Sequence, residues 1–91
     1  MKHKISPTNT FEKEVKKAFK RGDNIKLLNW VIDKLANGEI LEEKYKDHAL
    51  KGDYKGYREC HIAPDWLLIY KIYDDILVLA LSRTGSHSNL F

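Results

Sequence analysis

The sequence predicts an α+β fold, in which two N-terminal helices pack on a small antiparallel β-sheet. Two observations support this prediction. Apolar residues recur at helical spacing in the first half of the chain, and in the second half they alternate or form short runs separated by turns. At 91 residues the chain is long enough for one hydrophobic core, and we expect a single domain covering residues 1–91.

The N-terminal half is expected to contain a short edge strand and a helical hairpin. Residues 2–5 are the strand candidate, and residues 7–10 break it and offer helix N-caps. Two apolar stripes follow at helical spacing, made of Phe11, Val15, Ala18 and Phe19 and of Leu28, Val31, Ile32 and Leu35. The short break at residues 21–24 favours antiparallel helices, and residues 37–38 supply a C-cap. We expect Trp30 to lie in the core.

The second half is expected to form a charged loop and a three-stranded antiparallel meander. The loop covers residues 39–55, and a loop of this length in a small domain is often functional. The strands are predicted at residues 56–62, 66–73 and 76–82, with turns at residues 63–65 and 74–75. Alternation in the first strand places Tyr57, Glu59 and His61 on one face. That face lies opposite the helices and is where polar chemistry is expected.

Composition limits the classes of function. The net charge of +3 and the pI of about 9.0 suit a polyanionic partner. No apolar run approaches the roughly 20 residues needed to cross a bilayer. The basic N-terminus lacks the apolar stretch of a signal peptide, so we expect a cytoplasmic protein without a membrane partner. The single cysteine, Cys60, excludes an intrachain disulfide and is expected to be a small buried residue rather than a catalytic thiolate.

The C-terminal segment after the last strand carries three chemically useful side chains. Arg83 offers a guanidinium for phosphate, His87 an imidazole for proton transfer, and Phe91 a ring on which a base can stack. Two other segments contribute His48 and His61. Each residue alone has an ordinary structural explanation, but their joint occurrence favours a site.

These residue types match the requirements for cleaving RNA without a metal ion. The 2′-hydroxyl must lose a proton, the leaving 5′-oxygen must gain one, and charge on the phosphoryl oxygens must be stabilised. Glu59 lies on the same strand face as His61, and Asp65 follows across the turn, where it can orient an imidazole or act as a base. The chemical alternative is a zinc site made of His48, His61, Asp65 and His87. Their wide spacing and basic surroundings disfavour it, so we expect no metal and no cofactor.

Five segments together resemble the YafQ-type toxins of the RelE/ParE superfamily. In order along the chain they read KYKDH, LKG, GYRECH, PDWLLIY and RTGSHSNLF. The resemblance implies the RelE-like fold and a ribonuclease toxin of a type II toxin–antitoxin pair. Such proteins cut mRNA, commonly in the ribosomal A site, and leave a 2′,3′-cyclic phosphate or 3′-phosphate end and a 5′-hydroxyl end.

The resemblance also implies site residues and partners. The positions that carry activity in the family correspond to His48, His61, Asp65, His87 and Phe91. Glu59 and Arg83 match acid–base and phosphate-binding positions of close relatives. The implied partners are mRNA, the ribosome and a small antitoxin. The antitoxin neutralises the toxin and represses their operon together with it, so we expect operator DNA to be contacted only through that complex.

We therefore expect a metal-independent mRNA endoribonuclease in which three histidines surround one scissile linkage. His61 or Glu59 takes the proton of the 2′-hydroxyl. His87 protonates the leaving oxygen, or exchanges roles with His48.

The remaining candidates bind and orient the substrate. Arg83 is expected to brace the phosphoryl group, assisted by Arg58 or nearby lysines. Asp65 is expected to orient a histidine, and Phe91 to stack on a base. The candidate RNA-binding cations are Arg58, Lys46 and Lys51.

Two other functions fit parts of the same sequence. The basic surface can serve a non-catalytic module that binds RNA or the ribosome. The superfamily also contains ParE-like toxins that inhibit gyrase. The histidine set argues against this second alternative, because inhibiting a topoisomerase needs no proton relay.

Overall fold

The computed structural model describes residues 2–91 and contains a five-stranded sheet with two long helices on one face. The strands are β1 (Lys4–Pro7), β2 (His48–Ala49), β3 (Arg58–Ala63), β4 (Trp66–Tyr73) and β5 (Val78–Gly85). The helices are α1 (Asn9–Arg21), α2 (Ile25–Ala36) and α3 (His87–Leu90), and single 3₁₀ turns cover Glu43–Tyr45 and Gly52–Tyr54. The strand order is β1-β5-β4-β3-β2, with β1 parallel to β5 and the other neighbours antiparallel. This α+β architecture confirms the predicted fold class.

Local side chains set the ends of the two long helices. The Thr8 hydroxyl accepts a hydrogen bond from the backbone N–H of Phe11 and so caps the start of α1. Gly22 ends α1 with φ +85°, a left-handed conformation that costs glycine little. The Asn24 side chain then accepts from the N–H of Leu27 and caps α2. The predicted helical hairpin is therefore present.

Two aromatic residues predicted to be buried are exposed. Phe19 is 71% exposed, because it follows the buried Ala18 directly and the helical turn of about 100° per residue takes it off the packed face. Trp30 is 41% exposed, and its ring lies against Tyr45 and under the ammonium group of Lys34. Both predictions of core positions were wrong.

The sheet is larger than the predicted meander. The edge strand forms at residues 4–7, where it pairs with β5, and β2 lies inside the segment predicted to be a loop. The last strand begins at Val78 instead of residue 76 and continues to Gly85. Its start is displaced because residues 74–77 form one longer turn, in which Leu77 has φ +50° and Ile76 is exposed.

The two faces of the sheet have different cores. The face covered by α1 and α2 holds the larger core, which includes the buried Trp66 and the fully buried Cys60. The burial of Cys60 confirms the sequence prediction. The opposite face holds a small cluster of Leu67, Ile69 and Leu90, with Leu50, Tyr54 and Tyr57 packed against it. Leu90 anchors α3 to this second face. Within residues 2–91, no helix combines the length and apolar character needed to cross a membrane.

Candidate active site

The strand register places polar candidates in one row on the face opposite the long helices. His48 pairs with Glu59, Glu59 with Ile69, and Ile69 with Arg83, so the row crosses four strands. Side chains of directly paired residues lie on the same face of a sheet. His61 belongs to the next row, two residues along β3. The predicted common face of Glu59 and His61 is confirmed.

A β-bulge brings Arg83 to this face. Between β4 and β5 the register changes from Tyr70 opposite Leu81 to Ile69 opposite Arg83, which leaves Ser82 as an extra residue in β5. A bulge of one residue reverses the alternation of the residues that follow it. Leu81 therefore packs in the helix-covered core, whereas Arg83 lies in the row with Ile69.

A buried carboxylate lies between two imidazoles. Glu59 is only 5% exposed, and its Oε1 lies 3.5 Å from Nε2 of His61 and 4.0 Å from Nε2 of His48. Nδ1 of His48 lies 2.7 Å from the carbonyl oxygen of Lys46. Because a carbonyl only accepts, this contact requires a hydrogen on Nδ1 and leaves Nε2 of the neutral ring free to accept a proton.

The guanidinium of Arg83 is held by Glu14 of α1. Nη2 donates to Oε2 at 2.8 Å and Nε donates to Oε1 at 3.1 Å, while the N–H of Thr84 also donates to Oε1. Hydrogen bonding to Glu14 raises the pKa of Arg83 above its ordinary value, and Tyr54 adds to the effect. Arg83 is therefore a fixed cation with further N–H groups to offer.

The C-terminal segment presents two rings above the small core. The Ser86 hydroxyl caps the single turn of α3, and the centroids of His87 and Phe91 lie 5.0 Å apart. Phe91 makes an edge contact with Tyr54 at a centroid distance of 5.3 Å, yet its ring is 51% exposed. His87 is also exposed, so both rings are accessible on the face that carries Glu59.

Two predicted residues lie apart from this arrangement. Asp65 is exposed in the β3–β4 turn and lines a groove of about 420 Å³ that also contacts Arg21 and Asn89. Within residues 2–91 it has no hydrogen bond to a histidine, so the structure does not bring it to the position expected of an orienting group. Arg58 pairs with Tyr70 on the helix-covered face, on the other side of the sheet from Arg83, and therefore does not assist it there.

A separate polar network holds Arg58. Its Nε donates to Asp47 at 3.1 Å, and the Tyr70 hydroxyl donates to the same carboxylate oxygen at 2.6 Å. Burial lowers the pKa of Arg58, but hydrogen bonding with Tyr70 and the charge of Asp47 outweigh it and the net shift is upward. Burial and the hydrogen bond to Asp47 also raise the pKa of Tyr70. This network fixes the segment that precedes His48.

The two predicted lysines are exposed near the loop. Lys46 has φ +49° and turns its carbonyl oxygen toward His48, while Lys51 precedes the 3₁₀ turn that carries Tyr54. Sequence reasoning missed Tyr54 and Glu14, which support Phe91 and Arg83. A tyrosine within the charged loop was a usable signal for the first. Glu14 lies among surface lysines in the sequence and offered no such signal, because its partner Arg83 is 69 residues away.

The structure does not bring the four residues considered for zinc, which are His48, His61, Asp65 and His87, together in one cluster. Among residues 2–91, no group of three or more histidine, cysteine, aspartate or glutamate side chains has an arrangement that could hold a metal ion. The arrangement instead offers a buried carboxylate, accessible imidazoles and a fixed guanidinium, which together suit proton transfer next to a phosphoryl group.

Comparison with known proteins identifies the family of this chain. Residues 3–91 match the family described as the bacterial toxin of type II toxin–antitoxin systems, YafQ. The chain is 42% identical to the mRNA interferase toxin YafQ of Escherichia coli strain K12 over 88 residues, which is 96% of this chain and 94% of that protein.

Solved structures give the same result. The toxin in the E. coli DinJ–YafQ complex superposes with a TM-score of 0.89 at 41% identity, covering 98% of both chains. A metal-bound toxin from Helicobacter pylori has a TM-score of 0.92 at 46% identity, covering 98% of this chain and 99% of that one.

Proposed function

We propose that this chain, which belongs to the YafQ family of toxins of bacterial type II toxin–antitoxin systems, is an endoribonuclease that cleaves mRNA without a metal ion. The observation that carries the proposal is the buried Glu59 between His48 and His61, in the same row of the sheet as Arg83. The similarity to a protein named mRNA interferase supports the substrate class.

His61 is the proposed general base. Its Nε2 faces Oε1 of Glu59 at 3.5 Å, which leaves Nδ1 for the substrate. As Nδ1 takes the proton of the 2′-hydroxyl, the 2′-oxygen forms a bond to the adjacent phosphorus. The Glu59 carboxylate stabilises the imidazolium that results. His61 is accessible for this step, whereas Glu59 is buried behind it.

His87 is the proposed general acid. As the bond between phosphorus and the 5′-oxygen breaks, His87 donates a proton to that oxygen, and the products are a 2′,3′-cyclic phosphate and a 5′-hydroxyl. His48 is proposed to lie beside His61 next to the 2′-hydroxyl, since its Nε2 also faces Glu59. Arg83 stabilises the charge on the phosphoryl oxygens with the N–H groups that Glu14 does not use.

Phe91 and Tyr54 form the proposed stacking platform. The Phe91 ring is supported on one side by Tyr54 and is half-exposed on the other, as a base-stacking residue requires. The ribosome is the proposed setting for cleavage. The proposed protein partner is a small antitoxin, as in the DinJ–YafQ complex, and operator DNA is contacted only through that complex.

Cleavage of defined mRNA by the purified chain in EDTA, with and without ribosomes, tests the function. We expect cleavage in EDTA that leaves cyclic phosphate ends and is reduced at least 100-fold by His61→Ala or His87→Ala. A requirement for added metal would discard the mechanism. Growth arrest that survives replacement of His48, His61 and His87 together would instead favour a non-catalytic RNA- or ribosome-binding protein.

A further inference from the structure

A small polar pocket lies next to Arg83, between α1 and α3. Its volume is about 300 Å³, and its walls are Glu14, Lys17, Arg21, Arg83, Thr84, Gly85 and Asn89. Glu14, Lys17 and Arg21 belong to α1 and are spaced i, i+3 and i+7. They therefore share one face of the helix, over roughly 10 Å of its length. The pocket therefore extends from Arg83 along α1, and His48, His61 and His87 are not among the residues of its walls.

The pocket carries an excess of positive charge. The Glu14 carboxylate is compensated, because both of its oxygens accept from Arg83 and one also accepts from the N–H of Thr84. Lys17 is exposed and has no ion-pair partner among residues 2–91. Arg21 uses Nε and Nη2 to bind Asp23, which leaves its other N–H groups free to bind an anion.

We propose that this pocket binds the RNA phosphate next to the scissile one, through Lys17 and Arg21, with Asn89 as an additional amide donor. The proposal rests on the proposed function, since Arg83 belongs both to the pocket and to the row that contains Glu59. A strand of RNA whose reacting phosphate contacts Arg83 places its next phosphate within reach of α1. Lysine and arginine around a backbone phosphate are the usual source of affinity for RNA.

The groove continues beyond the phosphate pocket. Arg21 and Asn89 also line the neighbouring groove of about 420 Å³ that contains Asp65. The two cavities thus form a path along one side of α3, while His87 and Phe91 lie on the side of α3 nearer Tyr54. A nucleotide that follows the bound phosphate can extend into this groove.

The test compares two double variants of α1 that remove the same charge. Lys17→Gln/Arg21→Gln alters the pocket, and Lys13→Gln/Lys20→Gln alters exposed positions of the same helix that do not line it. Each protein cleaves a series of short RNAs in which one linkage near the cut site is a neutral methylphosphonate. The unaltered protein is first tested on free RNA and on ribosome-bound RNA. The form that it cleaves is then used for all variants.

We expect the unaltered protein and the control variant to lose roughly tenfold in cleavage rate when one particular flanking linkage is neutral. The pocket variant should be roughly tenfold slower on ordinary RNA and should show no further loss at that linkage. Its salt dependence should weaken by about 0.7 in log–log slope, as expected for the loss of one phosphate contact. A pocket variant that keeps the penalty at that linkage, or that matches the control variant, overturns the proposal.

The same RNAs separate this proposal from the proposed function. If the unaltered protein cleaves no RNA, the proposed function is wrong. The pocket proposal can then still be tested by measuring binding of RNAs that carry a 2′-deoxy nucleotide at the cut site. Equal affinity of both double variants for these RNAs would overturn the pocket proposal. A loss of affinity confined to the pocket variant would support it.

Discussion

Glu59 is the residue on which the proposed proton transfer depends. Its carboxylate is buried and has imidazole nitrogens at 3.5 and 4.0 Å, but it has no cation of lysine or arginine in contact among residues 2–91. A buried charge is costly unless it is compensated. The imidazolium that forms during the reaction supplies that compensation, so Glu59 acts as a positioning and stabilising residue for His61.

Replacing Glu59→Gln keeps the shape of the side chain and removes its charge. We expect kcat to fall about 100-fold with little change in KM, because the imidazolium of His61 loses its neighbouring negative charge. Cleavage rates at a series of RNA concentrations measure kcat and KM.

The control for this substitution is Glu43→Gln, which removes a carboxylate from an exposed turn. It should leave kcat and KM unchanged. A Glu59→Gln variant that remains folded and retains the activity of the unaltered protein would show that this carboxylate has no part in catalysis.

Cys60 gives a pH dependence of stability. Burial raises the pKa of its thiol, and the charges of Asp47 and Glu59 add to the shift. The thiol of the unfolded chain loses its proton near pH 8.5, whereas the folded state keeps it. The stabilising contribution is therefore complete below about pH 8.5 and is lost as the pH rises above that value.

Urea unfolding at pH 7.0 and pH 9.5 measures this contribution. Between these values the unaltered protein should lose about 1.4 kcal/mol more of its unfolding free energy than Cys60→Ala. If both proteins lost the same amount of unfolding free energy, the thiol would ionise as readily in the folded state as in the unfolded chain. The titration of Tyr70 is common to both proteins, and its raised pKa moves it further above this pH range.

The sequence predicted the common face of Glu59 and His61 because period-two alternation is a local property of one strand. It could not predict the face of Arg83 reliably, since that depends on the bulge at Ser82. It also expected Arg58 to assist Arg83, although alternation along β3 puts Arg58 on the helix-covered face, on the other side of the sheet from Arg83. Register and bulges are set by contacts between strands, which a single sequence does not contain.

At the scale of elements, α3 positions two of the proposed functional rings although it is only one turn long. Leu90 is 5% exposed and packs on Leu67 and Ile69, and it is the apolar residue of α3 that contacts the sheet. His87 and Phe91 stand on either side of it in the sequence. Their placement thus depends on the burial of one side chain.

Replacing Leu90→Ala should lower the unfolding free energy by about 2–3 kcal/mol and reduce cleavage more than this loss of stability explains. The reason is that α3 detaches from the small core and releases His87 and Phe91. Leu90→Met should restore most of both properties. Measurements of Tm and of single-turnover rate, with the exposed Ser88→Ala as control, provide the comparison. A folded Leu90→Ala variant with full activity would contradict this role of α3.

The helix ends were predictable because caps are local. Thr8 caps α1 from the segment that was predicted to offer N-caps, and Gly22 and Asn24 end α1 and begin α2 within the predicted break at residues 21–24. The strands β1 and β2 were harder to predict, since each is short and exists only through its pairing with β5 or β3. The helical stripes were correct except at Phe19. Trp30, which was expected in the core beside the second stripe, also lies just outside the packed face.

At the scale of the whole molecule, the topology brings together residues from separate segments. β2 and β3 supply His48, Glu59 and His61, and the end of β5 with α3 supplies Arg83 and His87. The two groups lie on the same face of the sheet, on either side of β4. Composition and motif order predicted that these residues form one site, but the assignment of Glu14 and Tyr54 required the folded chain.

Long-range contacts also explain a residue to which the sequence gave no role. His3 is 2% exposed, and its two ring nitrogens face the carbonyl of Ala36 at 3.3 Å and the carboxylate of Asp74 at 2.9 Å. It thereby joins the N-terminus to the end of α2 and to the β4–β5 turn. Nothing near His3 in the sequence indicates partners 33 and 71 residues away.

The division of labour between His61 and His87 is tested most directly with RNA whose leaving 5′-oxygen is replaced by sulfur. A thiolate leaves without being protonated, so a general acid is not needed for this substrate. In EDTA, His87→Ala should cleave it at nearly the rate of the unaltered protein, whereas His61→Ala should remain at least 100-fold slower. Failure of sulfur to rescue His87→Ala, or equal rescue of both variants, would contradict the proposed mechanism.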